Sequence, residues 1–164
     1  MADPTIPRSA LSLGIAKCLE VAGWRLREAG GLVNSAPHTA AILFSFGVEE
    51  FGKAALLHEA FQAGDDPVTI KGFYDHKTKL TAAGRHIAPS SLLLSQGGFD
   101  ADAFDPAAFE VGQRADARAR FSSLYVDWDG EWSQGSPVVD KETLGRNITA
   151  VSEVVLAKRD SWAS

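Results

Sequence analysis

The stretch that decides the fold is SAPHTAAILFSFGVEEFGKAALLHEAFQAGDDP, residues 35–67. Ser35 is positioned to cap a helix that has Pro37 in its first turn. The helical pattern continues to about Ala63, where the Gly-Asp-Asp-Pro run at 64–67 breaks it. The segment is long and very apolar, so other amphipathic helices are needed to cover it.

Helical spacing of apolar residues recurs on both sides of this segment. It predicts four further helices. The first runs from Ser9 to about Ala29 and ends at the Gly-Gly pair 30–31, and the second runs from about Val68 to His86 and ends before Pro89. The third runs from about Pro106 to Leu124, and the last from the N-cap Asp140 to about Trp162. On the helix that begins near Val68, the pattern places Lys79 on the solvent-exposed face and His76 on the face that packs inward.

The remaining segments complete a single predicted domain, residues 1–164. An Asp-Gly turn at 129–130 between apolar runs predicts a small β-hairpin near residues 123–133. Residues 1–8 are predicted to be an N-terminal tail, and the acidic stretch at 96–107 to be a loop. The sequence thus predicts an all-α, up-and-down bundle of four to five helices with a hairpin insertion.

Composition excludes several classes of protein. The chain has 164 residues, with 16 Lys plus Arg against 21 Asp plus Glu, so its net charge of −5 allows only local contact with nucleic acid. The single cysteine, Cys18, excludes a disulfide scaffold and a Cys-rich zinc fold and fits a reducing, cytoplasmic setting. No signal peptide is expected, and no membrane span, because the longest apolar stretch is about half the required length.

Charged residues interrupt the apolar surface of the segment 35–67. Glu49 and Glu50 can both reach Lys53, at spacings of four and three residues. Burial of an unpaired charge costs several kcal/mol, so these groups must pair with each other or with groups of other helices. Gly52 lies between them and allows another backbone or a ligand to approach closely. The cluster is either a buried ion pair that fixes helix register or a functional site.

Two further clusters carry positive charge. The stretch 71–86 has a local charge of +3 from Lys71, Lys77, Lys79 and Arg85 against Asp75. Its His76 is either a satisfied core histidine or an acid–base catalyst. In the second cluster, Arg114, Arg118 and Arg120 lead into Tyr125 and suit phosphate capture and base stacking, or simply form a solvated face. Arg120 or Tyr125 is expected to point inward and Arg114 to lie on the surface.

Other chemistries lack their motifs. The sequence has no Walker or Rossmann glycine loop, no His-Glu-x-x-His helix and no Gly-x-Ser-x-Gly elbow. The Glu-x-x-His signature of di-iron bundles is absent as well. We therefore expect no cofactor and no metal.

Three motifs in a fixed order carry a family resemblance. They are SFGVEEFGKA at 45–54, FYDHKTK at 73–79 and LYVD at 124–127, with Trp132 and Pro137 downstream. The chain resembles the AbiV-type abortive infection proteins of bacteria, which are helical anti-phage proteins grouped with the HEPN superfamily. The similarity spans roughly residues 10 to 162.

The resemblance implies an HEPN-like bundle and a role in phage defence through arrest of growth or translation. It also implies a homodimer, RNA or the translation machinery as target, and a phage-encoded protein as activator. Active HEPN proteins are typically metal-independent ribonucleases with paired Arg-x(4–6)-His motifs. This chain departs from that pattern, because Lys71 stands where Arg is expected before His76. The positions that match the family's own polar motifs are Glu50, Lys53, His76 and Lys79.

The residues and the resemblance together give a hypothesis for RNA cleavage. His76 would take the proton from a 2′-hydroxyl, and Lys53, Lys79 or Arg120 would stabilise the phosphorane charge. Glu50 would orient His76 or Lys53, and the expected substrate-binding residues are Lys71, Lys77, Arg120 and Tyr125. The alternatives are a non-catalytic module that binds a phage or host protein through a polar network, and a sensor of a small ligand.

Overall fold

The computed structural model describes residues 2–94, 127–128, 132–133 and 140–162. Their helices and strands, in chain order, are β1 (Thr5–Ile6), α1 (Arg8–Leu32), α2 (Pro37–Ala63), β2 (Val68–Thr69), α3 (His76–Leu94), β3 (Asp127–Trp128), β4 (Trp132–Ser133) and α4 (Lys141–Trp162). The predicted all-α bundle is confirmed. The acidic stretch at 96–107, the predicted helix from Pro106 to Leu124, and the candidate residues Arg114, Arg118, Arg120 and Tyr125 lie outside the described residues.

Helix α2 lies at the centre of the packing. It runs antiparallel to α1, where the Gly47 backbone lies against Leu26 and Leu57 reaches Gly14. Helix α3 packs on α2, and α4 packs on α1, with Ile148 against Gly30. Among the described residues, the largest fully buried side chains are Phe51, Leu11, Ile15, Leu19, Leu26, Ile87, Val48, Val151 and Val154. The apolar segment is thus covered by other helices, as its composition requires.

Helix α3 runs in the same general direction as α2. Glu49 of α2 contacts His76, and Glu59, ten residues further along α2, contacts Arg85. This order is imposed by residues 64–75, which return along α2 before α3 begins. The connection therefore departs from a simple up-and-down order, while α1 and α2 follow it.

The predicted start of the third helix is wrong. Val68 and Thr69 pair as a strand with β1, and Gly72 has a φ of 72°, a left-handed conformation that ends any helix through this stretch. The helix begins at His76, so the stripe extrapolated from residue 69 has the wrong phase. Lys79, predicted to be wet, is 5% exposed, whereas the His76 side chain, predicted to be inward, is 60% exposed.

Several helix boundaries also differ from the prediction. Helix α1 passes through Gly30-Gly31 to Leu32, and α3 passes Pro89 to Leu94, because glycine and proline weaken a helix without always ending it. Ala36, not Ser35, is the N-cap residue of α2, although Pro37 begins the helix and Gly64 ends it as predicted.

The last helix and the hairpin strands are confirmed. Asp140 caps α4, because its Oδ1 accepts hydrogen bonds from the amides of Glu142 at 3.0 Å and Thr143 at 3.3 Å. Strand β3 pairs antiparallel with β4, with Trp128 opposite Trp132.

Candidate functional site

The site forms where α3 begins against the middle of α2. The Gly52 backbone of α2 lies directly against the Lys79 carbonyl of α3, and a Cβ at position 52 would overlap that carbonyl oxygen. Asp75 precedes the helix and accepts hydrogen bonds from the Thr78 amide and hydroxyl, both at 2.7 Å. The hydroxyl bond, and then the amide bond, hold the pKa of the Asp75 carboxyl below its usual range. The close contact and the cap fix where α3 starts.

A buried carboxylate is the centre of the site. Glu49 is 6% exposed, and its Oε2 lies 2.8 Å from Nδ1 of His76 and 3.1 Å from Nζ of Lys79. The side chain of Lys79 is 6% exposed, whereas that of His76 is 60% exposed. The buried ammonium keeps a charged partner beside the carboxylate, as burial of both groups requires. Glu49 therefore binds one buried cation and one solvent-facing imidazole.

This arrangement sets the chemistry of the His76 ring. A carboxylate accepts but does not donate, so Nδ1 must carry the proton that it shares with Glu49. In the neutral ring, Nε2 is then the basic nitrogen, and it lies on the edge opposite the buried carboxylate. An imidazole held in this way by a carboxylate is suited to act as a general base.

Glu50 and Lys53 form a separate pair. The Lys53 Nζ lies 2.6 Å from Glu50 Oε1, and both side chains are about a quarter exposed. The pair lies beside Cys18 of α1: burial raises the pKa of that thiol to about 11, with Glu50 adding to the shift and Lys53 opposing it. Neighbouring residues of a helix point about 100° apart, so Glu49 faces α3 whereas Glu50 lies near α1.

The structure therefore divides the four predicted catalytic residues. It brings His76 and Lys79 together on Glu49, and it places Glu50 and Lys53 with each other. The sequence places Glu49 in one charged cluster with Glu50 and Lys53, and no sequence signal separates the two acids, because apolar residues flank both. The sequence-predicted substrate-binding residues Lys71 and Lys77 are exposed, one on each side of His76 in the chain.

A second polar cluster lies where α2, α3 and α4 meet. The ring of Trp162 stacks on His58 at 4.3 Å between centroids and meets His86 edge-on at 4.9 Å. Glu59 receives hydrogen bonds from Arg85 at 2.8 Å and lies 3.3 Å from Nε2 of His86. Nδ1 of His58 is buried and has no hydrogen-bond partner among the described residues. No sequence signal marks this cluster, because its members come from three distant segments.

The cluster favours uncharged imidazoles. Burial holds the pKa of His58 below its usual range, and the nearby charges of His86 and Lys158 lower it further against the opposing effect of Glu59. Burial also holds the pKa of His86 below its usual range, more strongly than the hydrogen bond to Glu59 raises it. Both rings therefore resist protonation in the folded protein.

The resulting prediction concerns stability in mild acid. As pH falls below the ordinary histidine pKa of about 6.5, the unfolded chain takes up protons that folded His58 and His86 resist, so stability decreases. We expect a lower unfolding temperature at about pH 5.5 than at about pH 7.5 in calorimetry. His58→Phe keeps a ring against Trp162 but cannot titrate, so its decrease should be smaller. An equal decrease in His58→Phe and wild type would contradict this assignment for His58.

Comparison with known families settles what the chain is. The family model described as AbiV, an HEPN-type family, matches residues 14–156. The chain belongs to the AbiV family. No curated protein and no solved structure matches it. The family assignment confirms the predicted HEPN-like bundle and indicates a protein of abortive-infection defence.

Neither a metal site nor a membrane span is found among the described residues of this AbiV-family chain. Within the described ranges, no group of three or more His, Cys, Asp or Glu side chains is placed to hold a metal ion. The helices of the same ranges include none that is long and apolar enough to cross a membrane.

Proposed function

We propose that this AbiV-family protein is a phage-defence effector that cleaves RNA with His76 as general base, in a metal-independent reaction. The observation that carries the proposal is an exposed imidazole whose Nδ1 is held at 2.8 Å by the buried carboxylate of Glu49. A histidine in a merely structural network has no need of an exposed ring. A general base needs both a fixed tautomer and access to substrate.

The reaction is a transfer of the phosphodiester within RNA. Nε2 of His76 takes the proton of the 2′-hydroxyl, and the 2′-oxygen attacks phosphorus while the bond to the 5′-oxygen breaks. The 5′-oxygen leaves with a proton from the imidazolium or from water. The products are a 2′,3′-cyclic phosphate and a 5′-hydroxyl, with no net gain or loss of protons.

The neighbouring groups have distinct roles in this proposal. Glu49 holds the tautomer and stabilises the imidazolium that forms, and Lys79 positions Glu49 from the buried side. Lys79 is too deeply buried to serve as the phosphate contact. The exposed Lys71 and Lys77 bind phosphate oxygens and give the site its local basic charge within an acidic protein. The Glu50–Lys53 pair supports the packing of α2 on α1.

The setting of this activity follows from the family. HEPN domains often dimerise, and we propose that this chain acts as a homodimer. We further propose a cytoplasmic protein whose target is RNA or the translation machinery of the infected cell, with a phage-encoded protein as activator. The single Cys18, which has no second cysteine for an internal disulfide, fits a reducing compartment.

The test compares His76→Ala with a matched histidine. His38→Ala is the control, because His38 is an exposed residue of α2 that lies three turns, or about 16 Å of helix axis, from Glu49. We expect His76→Ala to lose phage protection and to reduce RNA cleavage by about 100-fold or more, as loss of a general base does. His38→Ala should retain both activities. RNA integrity in infected cells and cleavage by purified protein are the measurements.

A measurement of unfolding stability is the control for this comparison. His76→Ala should lower the free energy of unfolding by only about 1 kcal/mol, because the exposed ring contributes little beyond one hydrogen bond. Protection by His76→Ala equal to that of wild type would refute the proposed role.

A binding module without catalysis is the second candidate function. It is favoured by the burial of Glu49 and Lys79, because fixing the register of two helices is by itself a sufficient role for a buried ion pair. In that case the exposed Lys71 and Lys77 would contact a phage or host protein. Such a module predicts that RNA stays intact during infection while protection depends on these lysines.

A further inference from the structure

Residues 2–7 form an arm that pairs with the segment before α3. Thr5 and Ile6 of β1 pair antiparallel with Thr69 and Val68 of β2, and the Ile70 amide donates to the Pro4 carbonyl at 3.0 Å. The family match at 14–156 does not include the arm. The arm holds the segment 68–72 by main-chain hydrogen bonds, and Ile6 and Val68 also pack against the core, to which Ile70 belongs.

The arm ends in a side-chain contact to the turn that leads to the site. Oδ1 of Asp3 accepts a hydrogen bond from the Gly72 amide at 3.0 Å. Gly72 has a φ of 72° and lies against the Thr78 side chain, so a Cβ there would come within 2.7 Å of Thr78 Oγ1. The turn is therefore tightly constrained, and Asp3 holds its amide from outside.

The same turn carries His76. The Gly72 carbonyl accepts the Asp75 amide at 2.9 Å, and the Asp75 carboxylate accepts the amide of Thr78 at 2.7 Å. His76 is the residue after Asp75 and the first of α3. With 60% of its side chain exposed, the His76 ring has little packing to fix it. Its position depends on the backbone of this turn and on the hydrogen bond to Glu49.

We propose that Asp3 is a positioning residue for His76. By holding the Gly72 amide, its carboxylate keeps the turn at 72–75 in place, and with it the His76 ring at hydrogen-bond distance from Glu49. The inference rests on the proposed function only for its effect on RNA cleavage. Its structural part, the coupling of Asp3 to the His76 tautomer, stands on the contacts above.

The test measures the His76 tautomer directly. Nitrogen chemical shifts of the labelled protein report the ratio of the Nδ1–H to the Nε2–H form, whether or not RNA is cleaved. Asp3→Ala removes the acceptor, and we expect the ratio to fall by about fivefold, the size expected for loss of one exposed hydrogen bond. Asp3→Asn keeps an acceptor oxygen and removes only the charge, so it should retain the ratio of the wild type.

Asp65→Asn is the matched control for charge. Asp65 is an exposed acid of the connection between α2 and β2, and its loss should leave the tautomer ratio and RNA cleavage unchanged. RNA cleavage by Asp3→Ala should show a lower kcat with little change in KM, because positioning affects the reacting group more than substrate binding. Thermal unfolding of all three variants should stay close to that of wild type.

The outcomes separate this inference from the proposed function. A shifted tautomer in Asp3→Ala but not in Asp3→Asn supports the inference, even if no variant or wild type cleaves RNA. An unchanged tautomer in Asp3→Ala, with the Gly72 amide exchanging faster by NMR, overturns it. A ratio that departs from wild type in both Asp3→Asn and Asp65→Asn overturns it as well, because the effect would then come from charge alone.

Discussion

Gly52→Ala is expected to destabilise the protein by about 3 kcal/mol, although alanine is the better helix former. The reason is a contact between two backbones. A Cβ at position 52 would overlap the Lys79 carbonyl oxygen and would lie 2.6 Å from the Lys79 carbonyl carbon, and neither of these backbone atoms can rotate aside. Relief requires α2 and α3 to move apart. That movement would weaken the packing of the core residues around the contact and separate Glu49 from Lys79 and His76.

Gly84→Ala is the matched control for this prediction. Gly84 lies in α3, five residues after Lys79, and a Cβ there meets nothing within 4 Å. This substitution should stabilise the protein by about 0.5–1 kcal/mol through helix propensity alone. Urea unfolding followed by circular dichroism would measure both changes. A Gly52→Ala protein as stable as Gly84→Ala would mean that the helices do not approach as closely as described.

The parts of the fold that sequence analysis predicted rest on local signals. Pro37 indicates the start of helix α2, and the run that begins with Gly64 indicates its end. The cap residue Asp140 indicates the start of α4. In each case the residues that decide the boundary lie within a few positions of it. Helical periodicity then leaves little choice but a bundle, because every amphipathic face needs a partner.

The parts that failed depend on contacts between distant residues. The stretch 68–75 has helical periodicity, but it is held as a strand and turn by β1, more than 60 residues earlier in the chain. The local signals of that structure are the β-branched residues 68–70, Gly72 and the capping Asp75, and helical periodicity obscures them. The error at this boundary changed the phase of α3, and so exchanged the predicted exposures of His76 and Lys79.

The site was predicted in part for the same reason. The sequence pattern indicates His76, Lys79 and the charged segment of α2. The choice between Glu49 and Glu50, however, requires knowing which neighbouring helix packs on which face of α2. The contact of Gly52 with α3 shows which face of α2 packs on that helix. The sequence shows only that a close approach is possible at a glycine.

Removal of the buried charges gives the second large effect. Glu49→Met leaves the Lys79 ammonium, 6% exposed, without its carboxylate, and should lower the free energy of unfolding by about 3–5 kcal/mol. Lys79→Met leaves Glu49 with His76, which can compensate in part, so the loss should be smaller. The double variant removes both charges and replaces them by apolar chains of similar length, and it should be more stable than Glu49→Met alone.

An exposed pair supplies the control for this cycle. Arg25 and Glu28 of α1 lie 3.1 Å apart with side chains 45% and 54% exposed. Glu28→Ala should change the stability by less than about 0.5 kcal/mol, because solvent screens such pairs. Chemical unfolding of wild type, the two single variants and the double variant gives the coupling energy of the buried pair. A coupling energy no larger than the effect of Glu28→Ala would contradict the burial of Glu49 and Lys79.

The double variant also separates the two candidate functions. It keeps the α2–α3 contact but removes the carboxylate that fixes the His76 tautomer, so an RNA-cleaving protein should lose about 100-fold or more in rate, by analogy with loss of the orienting acid of a catalytic triad. A binding module needs only the surface that the folded bundle presents. A stable double variant that still protects cells from phage would therefore identify a binding module. Loss of protection in a double variant that is still folded would support catalysis at His76.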